Sequence, residues 1–228
     1  MKKTAILLLV LITLFSCKNE SKEYDKIYNS WKGEMAEIKK GHTETLSILD
    51  SFEQKIDDHK KRLKEFTTFI DAETSKGTEN VSKLEEDIVN KANVNIKKHE
   101  HFLVFLNNLS ALQGTFDNKP FELSIIPDES AITKFNSLNE ATSFWINEKN
   151  NINDGHNKAL SIIEDLKNHI HYHQKEIKEF TQKIEEAKKG KKAVSELEDN
   201  YNSNKNKHEH FVGLLANLKQ VQRQFEGN

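Results

Sequence analysis

The chain has 228 residues, with 34 Lys and Arg against 36 Asp and Glu, 10 His, one Cys and two Pro. The near balance of charge leaves no basic excess for a nucleic-acid-binding surface, and a single cysteine excludes an intramolecular disulfide. Charged residues make up 31% of the chain while Gly is scarce, which is the composition of long solvated helices rather than of a compact α/β enzyme.

The first residues, MKKTAILLLVLITLFSC, place two lysines before an apolar run from Ala5 to Phe15. That run is too short to span a bilayer and sits where an export signal belongs, so residues 1–16 read as a signal peptide. Leu14-Phe15-Ser16-Cys17 resembles the lipobox of bacterial lipoproteins, in which a small residue precedes a cysteine that is lipidated and begins the mature chain. The resemblance covers residues 1 to 17 only and names no family for the rest. It implies lipidation of Cys17, an anchor in the membrane rather than a span across it, and a place in the cell envelope. Lys18 is not the aspartate that commonly marks inner-membrane retention, so the resemblance implies the outer membrane, on its periplasmic or surface-exposed face. Residues 17–23 are polar and read as a tether. Loss of Lys2 and Lys3 with the signal leaves the remainder at about −4.

Beyond the tether the chain repeats itself. Setting His42 over His156 matches 12 of 29 positions through Ile70 and Ile184, and places Trp31 over Trp145, the only two tryptophans. Downstream, Lys98-His99-Glu100-His101-Phe102 recurs as Lys207-His208-Glu209-His210-Phe211. The first seam runs with four-three spacing from Tyr24 through Trp31, Ile38, His42, Thr45, Leu49, Phe52, Ile56, His59, Leu63 and Phe66 to Ile70. The matching seam of the second copy runs from Ala131 through Trp145, Lys149, His156 and His173 to Ile184. Such persistence predicts helices packed at coiled-coil angles, and no stretch alternates with the period of a strand.

Turn signals at Ser75-Lys76-Gly77-Thr78 and Lys188-Lys189-Gly190-Lys191 make each copy a helical hairpin. The returning seams read Val81, Leu84, Ile88, Ala92, Asn95, His99, Phe102 and Val194, Leu197, Tyr201, Asn204, His208, Phe211. The expectation is an all-α protein: two homologous hairpins, over residues 24–116 and 131–228, forming an antiparallel four-helix, coiled-coil-like bundle. Residues 117–130, bracketing Pro120 and Pro127, form a linker long enough to lie extended along the bundle. The Trp-bearing segments overhang their hairpin partners. Gly41 and Gly155 fall where the overhangs begin and predict a kink or break, with the overhangs folded onto the bundle end, onto each other, or left exposed as a binding surface.

Eight of the ten histidines are matched between copies: His42/His156, His59/His173, His99/His208 and His101/His210. The seams predict a polar layer in each hairpin, His59 with Asn95 and His99, and His173 with Asn204 and His208, with His42 and His156 as further polar seam residues. Polar residues at seam positions fix register. Imidazoles on facing helices also suit zinc, copper, nickel, iron or haem, and His169 and His173 have the i,i+4 spacing of a helical chelate that His208 can approach. His99 and His101 point to different sides of a helix, so HEH is not itself a chelate. Clustered histidines near a seam also offer a response to pH. No phosphate loop or nucleophile elbow is present, so no enzymatic activity is expected. The sequence therefore suggests a lipid-anchored envelope protein that binds or scaffolds a protein partner, with a histidine-rich metal-binding lipoprotein as the alternative.

Overall fold

A computed structural model describes residues 2–75, 81–190 and 194–226, with side chains described from Lys22 onward apart from residues 74, 81–84 and 194. Among the described residues there are four long α-helices and no strand: α1 (Lys2–Ser75), α2 (Val81–Gly114), α3 (Leu138–Lys188) and α4 (Val194–Glu226). The protein is an all-α helical bundle. The four-three seam dictates this: every position of the α1 seam from Tyr24 to Ile70 is buried or half-buried, with Leu49 and Phe52 at 0% exposure. A fully buried side chain of this size contributes about 1.5–3 kcal/mol.

The helix ends follow local chemistry. The turn expected at Ser75–Thr78 falls on residues 76–80, outside the described residues. After α3, Gly190 has φ +72 and its N–H bonds the carbonyl of Ala187 at 2.8 Å, closing the helix in the left-handed conformation glycine favours. Lys191 is likewise outside the described residues. At the start of α3, Ser137 Oγ accepts from the Glu140 N–H and Glu140 Oε2 accepts from the Asn136 N–H. This box places the helix start at Leu138, so the irregular segment continues past residue 130, and Ala131 and Phe135 belong to it rather than to the helical seam.

The linker lies extended along α2 and is pinned by asparagines. Asn108, fully buried, donates from Nδ2 to the Ser124 carbonyl at 3.0 Å and accepts the Ser124 N–H at Oδ1, 2.7 Å. Asn93 does the same for Phe135, at 3.0 and 2.7 Å. Between them Glu100 accepts the Thr133 N–H at 2.9 Å, and Lys97 pairs with Glu129. Each asparagine thus satisfies both backbone polar groups of one residue that has no ladder or helix to join.

The helices are not broken at Gly41 or Gly155; α1 and α3 run through both. The expected break does not form, and both glycines face neighbouring helices. A Cβ on Gly155 would lie 3.5 Å from Phe102 Cε1, and one on Gly41 would lie 4.0 Å from Leu215 Cδ2. The overhangs are helical, and neither tryptophan is exposed: Trp31 is 3% and Trp145 2% accessible.

What covers them is visible in how the chain divides. One compact unit comprises Met1–Glu44 and His169–Leu215, the other Thr45–Asn168 and Ala216–Asn228. Each unit therefore combines the Trp-bearing overhang of one sequence copy with the hairpin of the other. An overhang carries an apolar stripe that its own hairpin partner is too short to cover, and the other copy covers it. In the first unit Ile27, Trp31 and Ile38 of α1 pack with Ile177, Phe180 and Ile184 of α3 and Leu197 of α4. Trp31 Nε1 donates to Thr181 Oγ1 at 3.1 Å, and its ring meets Phe180 edge-on at 4.7 Å. In the second unit Leu63, Phe66 and Ile70 of α1 pack with Ala92 and Ile96 of α2, Trp145 and Ile152 of α3, and Phe135 from the linker.

Candidate functional site

Each unit places a pair of imidazoles at its centre, one from α1 and one from α3. In the first, His42 Nε2 and His173 Nδ1 are 2.8 Å apart. In the second, His156 Nε2 and His59 Nδ1 are 2.8 Å apart. The repeat equates His42 with His156 and His59 with His173, so both pairs use the same nitrogen of the same repeat position. The other copy of the chain, not the hairpin's own returning helix, supplies the bonded partner.

The Phe of KHEHF roofs each pair. Phe211 lies parallel to His173 with ring centroids 4.3 Å apart and meets His42 edge-on at 5.8 Å. Phe102 stacks on His59 at 4.7 Å and lies 4.8 Å from His156. His99 stands parallel to His59 at 6.0 Å and approaches Trp145 at 6.1 Å. The repeated pentapeptide is a layer of the interior, as the seam reading anticipates.

A nitrogen–nitrogen hydrogen bond requires one donor and one acceptor, so at most one ring of a pair can carry protons on both nitrogens. Burial keeps both rings neutral. It lowers His42 and His156 to about 4 and His59 and His173 to about 3, and in three of the four a neighbouring histidine is the next cause. For His156 the second cause is Lys60, followed by His99. Burial likewise holds His99 and His208 below the ordinary value, opposed by glutamates of the same unit.

Some ring nitrogens are left over. His59 Nε2, His99 Nδ1 and His156 Nδ1 in one unit, and His173 Nε2 and His208 Nδ1 in the other, are buried without a hydrogen-bond partner among the described residues. An unmatched buried donor or acceptor costs about 1–3 kcal/mol, so five of them weigh against these layers being optimised for stability alone.

The remaining predicted site residues are placed as follows. Asn95 is not in a layer: its Nδ2 bonds the Lys91 carbonyl on the same helix at 2.8 Å, and Ile96 takes the buried position at 1% exposure. The α2 stripe advances by four from Ala92 to Ile96, and a strict heptad mistakes the step. Asn204 is buried, yet its Nδ2 bonds the Asn200 carbonyl and its Oδ1 has no partner, so it joins no imidazole. His169 is exposed, and its nearness is a further cause, after burial, of the lowered value of His210. Among the described residues no three histidine, cysteine, aspartate or glutamate side chains are arranged to hold a metal ion. Cys17 lies within α1, and its side chain is outside the described residues.

The pairing across copies is what sequence reasoning missed. The signal was present: seventeen residues separate His42 from His59 and, in the second copy, His156 from His173. Lay two such segments antiparallel and one register matches both pairs at once. No family model, curated protein or solved structure matches the chain.

Proposed function

We propose that this chain is a lipid-anchored protein of the cell envelope, attached through Cys17 at the outer membrane, that acts by binding or scaffolding a protein partner rather than by catalysis. The observation that supports an anchored body most directly is the continuity of α1, which runs through Cys17 and on to the buried Ile27, Trp31 and Ile38. Ten residues of helix between Cys17 and Ile27 correspond to roughly 15 Å of rise. An acyl group on Cys17 would therefore be joined to the body by a rod rather than by a slack tether, holding it close to the bilayer. Among the described residues no helix is long and apolar enough to cross a membrane. Expression with labelled palmitate in a Gram-negative host tests it: label and membrane fractionation are expected in the parent and lost in Cys17→Ser. An unlabelled parent contradicts the reading.

The left-over nitrogens favour a second reading, in which the layers bind zinc, copper, nickel or iron. Buried neutral imidazoles are the protonation state that metals take. His173 with His208, and His59 with His99, hold such nitrogens at matched positions. Titration of the full chain with zinc or copper, against the His173→Ala, His208→Ala variant, separates the readings. Stoichiometric binding lost in the variant supports metal, and absence of binding leaves the imidazoles as a register device.

A further inference from the structure

The second unit has a cavity of about 140 Å³ beside its imidazole layer. Its walls are apolar and mostly aromatic: Ile56, Phe102, Phe105 and Phe225. Phe105 and Phe225 meet edge-on at 5.2 Å, and Phe102 is the ring that stacks on His59, so the cavity shares a wall with the histidine pair. A dry apolar cavity of about 150 Å³ is the size that accepts a benzene ring.

The remaining lining residues are all basic. Lys55, Lys98, His59 and His101 complete the cavity, and no carboxylate lines it. Lys55 is held in place by donating from Nζ to the Phe225 carbonyl at 3.0 Å. A ring-sized apolar chamber with two ammonium groups and no counter-charge is complementary to one kind of small molecule.

We propose that this cavity is a binding site for a small amphiphilic anion, an aromatic ring or ring-sized hydrocarbon bearing one carboxylate, with the ring against Phe102, Phe105 and Phe225 and the carboxylate toward Lys98 and Lys55. The site deepens the binding role proposed above, but it rests on the geometry of the second unit and not on the anchor. It is also specific to one copy. The repeat places His169 where this site has Lys55 and Leu214 where it has Phe105, so the other unit lacks both a lysine and an aromatic wall. One site per chain follows.

The test is an NMR titration of the full chain in detergent at pH 7.5 with benzoate, and in parallel with benzyl alcohol and acetate, which carry the ring and the charge separately. Benzoate is expected to saturate a single site and to bind at least about ten-fold more tightly than either half, the worth of one charge-assisted hydrogen bond. Lys98→Gln, on the rim, is expected to weaken benzoate by about the same factor while leaving benzyl alcohol and the thermal melt unchanged. Phe225→Ala weakens both ring compounds. Cys17→Ser leaves benzoate binding intact, so the site and the anchor fail separately. Benzoate binding no tighter than acetate, two equivalent sites, or indifference to Lys98→Gln would overturn the proposal.

Discussion

The unit that holds His42 and His173 and the unit that holds His59 and His156 carry the same imidazole pair at the same 2.8 Å, yet they complete their interiors by different means. The first is self-sufficient. Tyr201 of α4 packs against the Trp31 and Phe180 cluster and donates from its hydroxyl to Glu34 at 2.7 Å. At the matching position the second unit has Ala92 and brings in Phe135 from the linker, fastened by Asn93. The tryptophans differ in the same sense: Trp31 Nε1 bonds Thr181, whereas Trp145 Nε1 is buried without a partner among the described residues. Duplication thus preserved the polar centre while the apolar filling drifted. A layer held by directional hydrogen bonds has one geometry, whereas a hydrophobic volume can be filled from an α-helix or from a strap.

The largest effect should come from acid, because it acts on what the units share. His42, His59, His156 and His173 have folded values of about 3 to 4 against an ordinary 6.5, so the unfolded chain binds more protons between those limits. Stability is fully present above about pH 6.5 and falls as the pH drops toward 4, by about 2 kcal/mol per such histidine at pH 5. Circular dichroism melts should therefore shift strongly downward between pH 7.5 and 5.0. Coincident melts would show that the rings are not held neutral.

Breaking one pair comes next. His156→Ala leaves His59 Nδ1 buried without its partner and opens a cavity, an expected loss of about 2–4 kcal/mol. Replacing both rings of a pair with leucine removes both polar groups together and should cost less than the single alanine, while reducing the acid sensitivity. Denaturant midpoints of the single and double variants measure this directly. A double variant worse than the single one would mean that the pair contributes more than mutual satisfaction.

The comparison between units is sharpened by two asparagines at matching positions. Asn108 pins the linker and is fully buried, whereas Asn217 is half-buried on α4. Asn108→Ala should cost about 2 kcal/mol and Asn217→Ala less than about 0.5 kcal/mol in thermal melts. Equal costs would remove the distinction drawn between a strapped and an unstrapped helix.

The smallest effect has the opposite sign. Gly155→Ala and Gly41→Ala add a methyl at ordinary contact distance inside continuous helices, and each should stabilise by about 0.5–1 kcal/mol. Destabilisation would indicate that a bend is needed there after all.

Much of this architecture was legible in the sequence because it is periodic. The α1 seam, the hairpin turn at Gly190, the duplication and the burial of Trp31 and Trp145 all follow from apolar spacing and a left-handed glycine. What was not legible depends on neighbours. Gly41 and Gly155 suggest a break to anyone counting propensities, but both lie inside continuous helices in ordinary contact with a neighbouring helix. Asn93 and Asn108 look like ordinary polar residues of an α-helix until the linker is laid beside them. The seam reading brings His59 to His99, which stack at 6.0 Å, but not to its bonded partner His156, for a related reason: a hairpin suggests contacts across its own turn, while the overhangs bring the other copy closer. Lys55, Lys98 and Phe225 could not be grouped at all, since they come from three helices and their shared cavity leaves no pattern along the chain.

The central claim is that each unit is organised around two neutral imidazoles hydrogen-bonded across the sequence copies. Nitrogen-15 NMR of histidine-labelled chain at pH 6 reads this directly, through scalar couplings transmitted across nitrogen–nitrogen hydrogen bonds. The account predicts two such couplings, His42 Nε2 with His173 Nδ1 and His156 Nε2 with His59 Nδ1, with all four rings neutral. Absence of both couplings, with these rings titrating near their ordinary value, would contradict it.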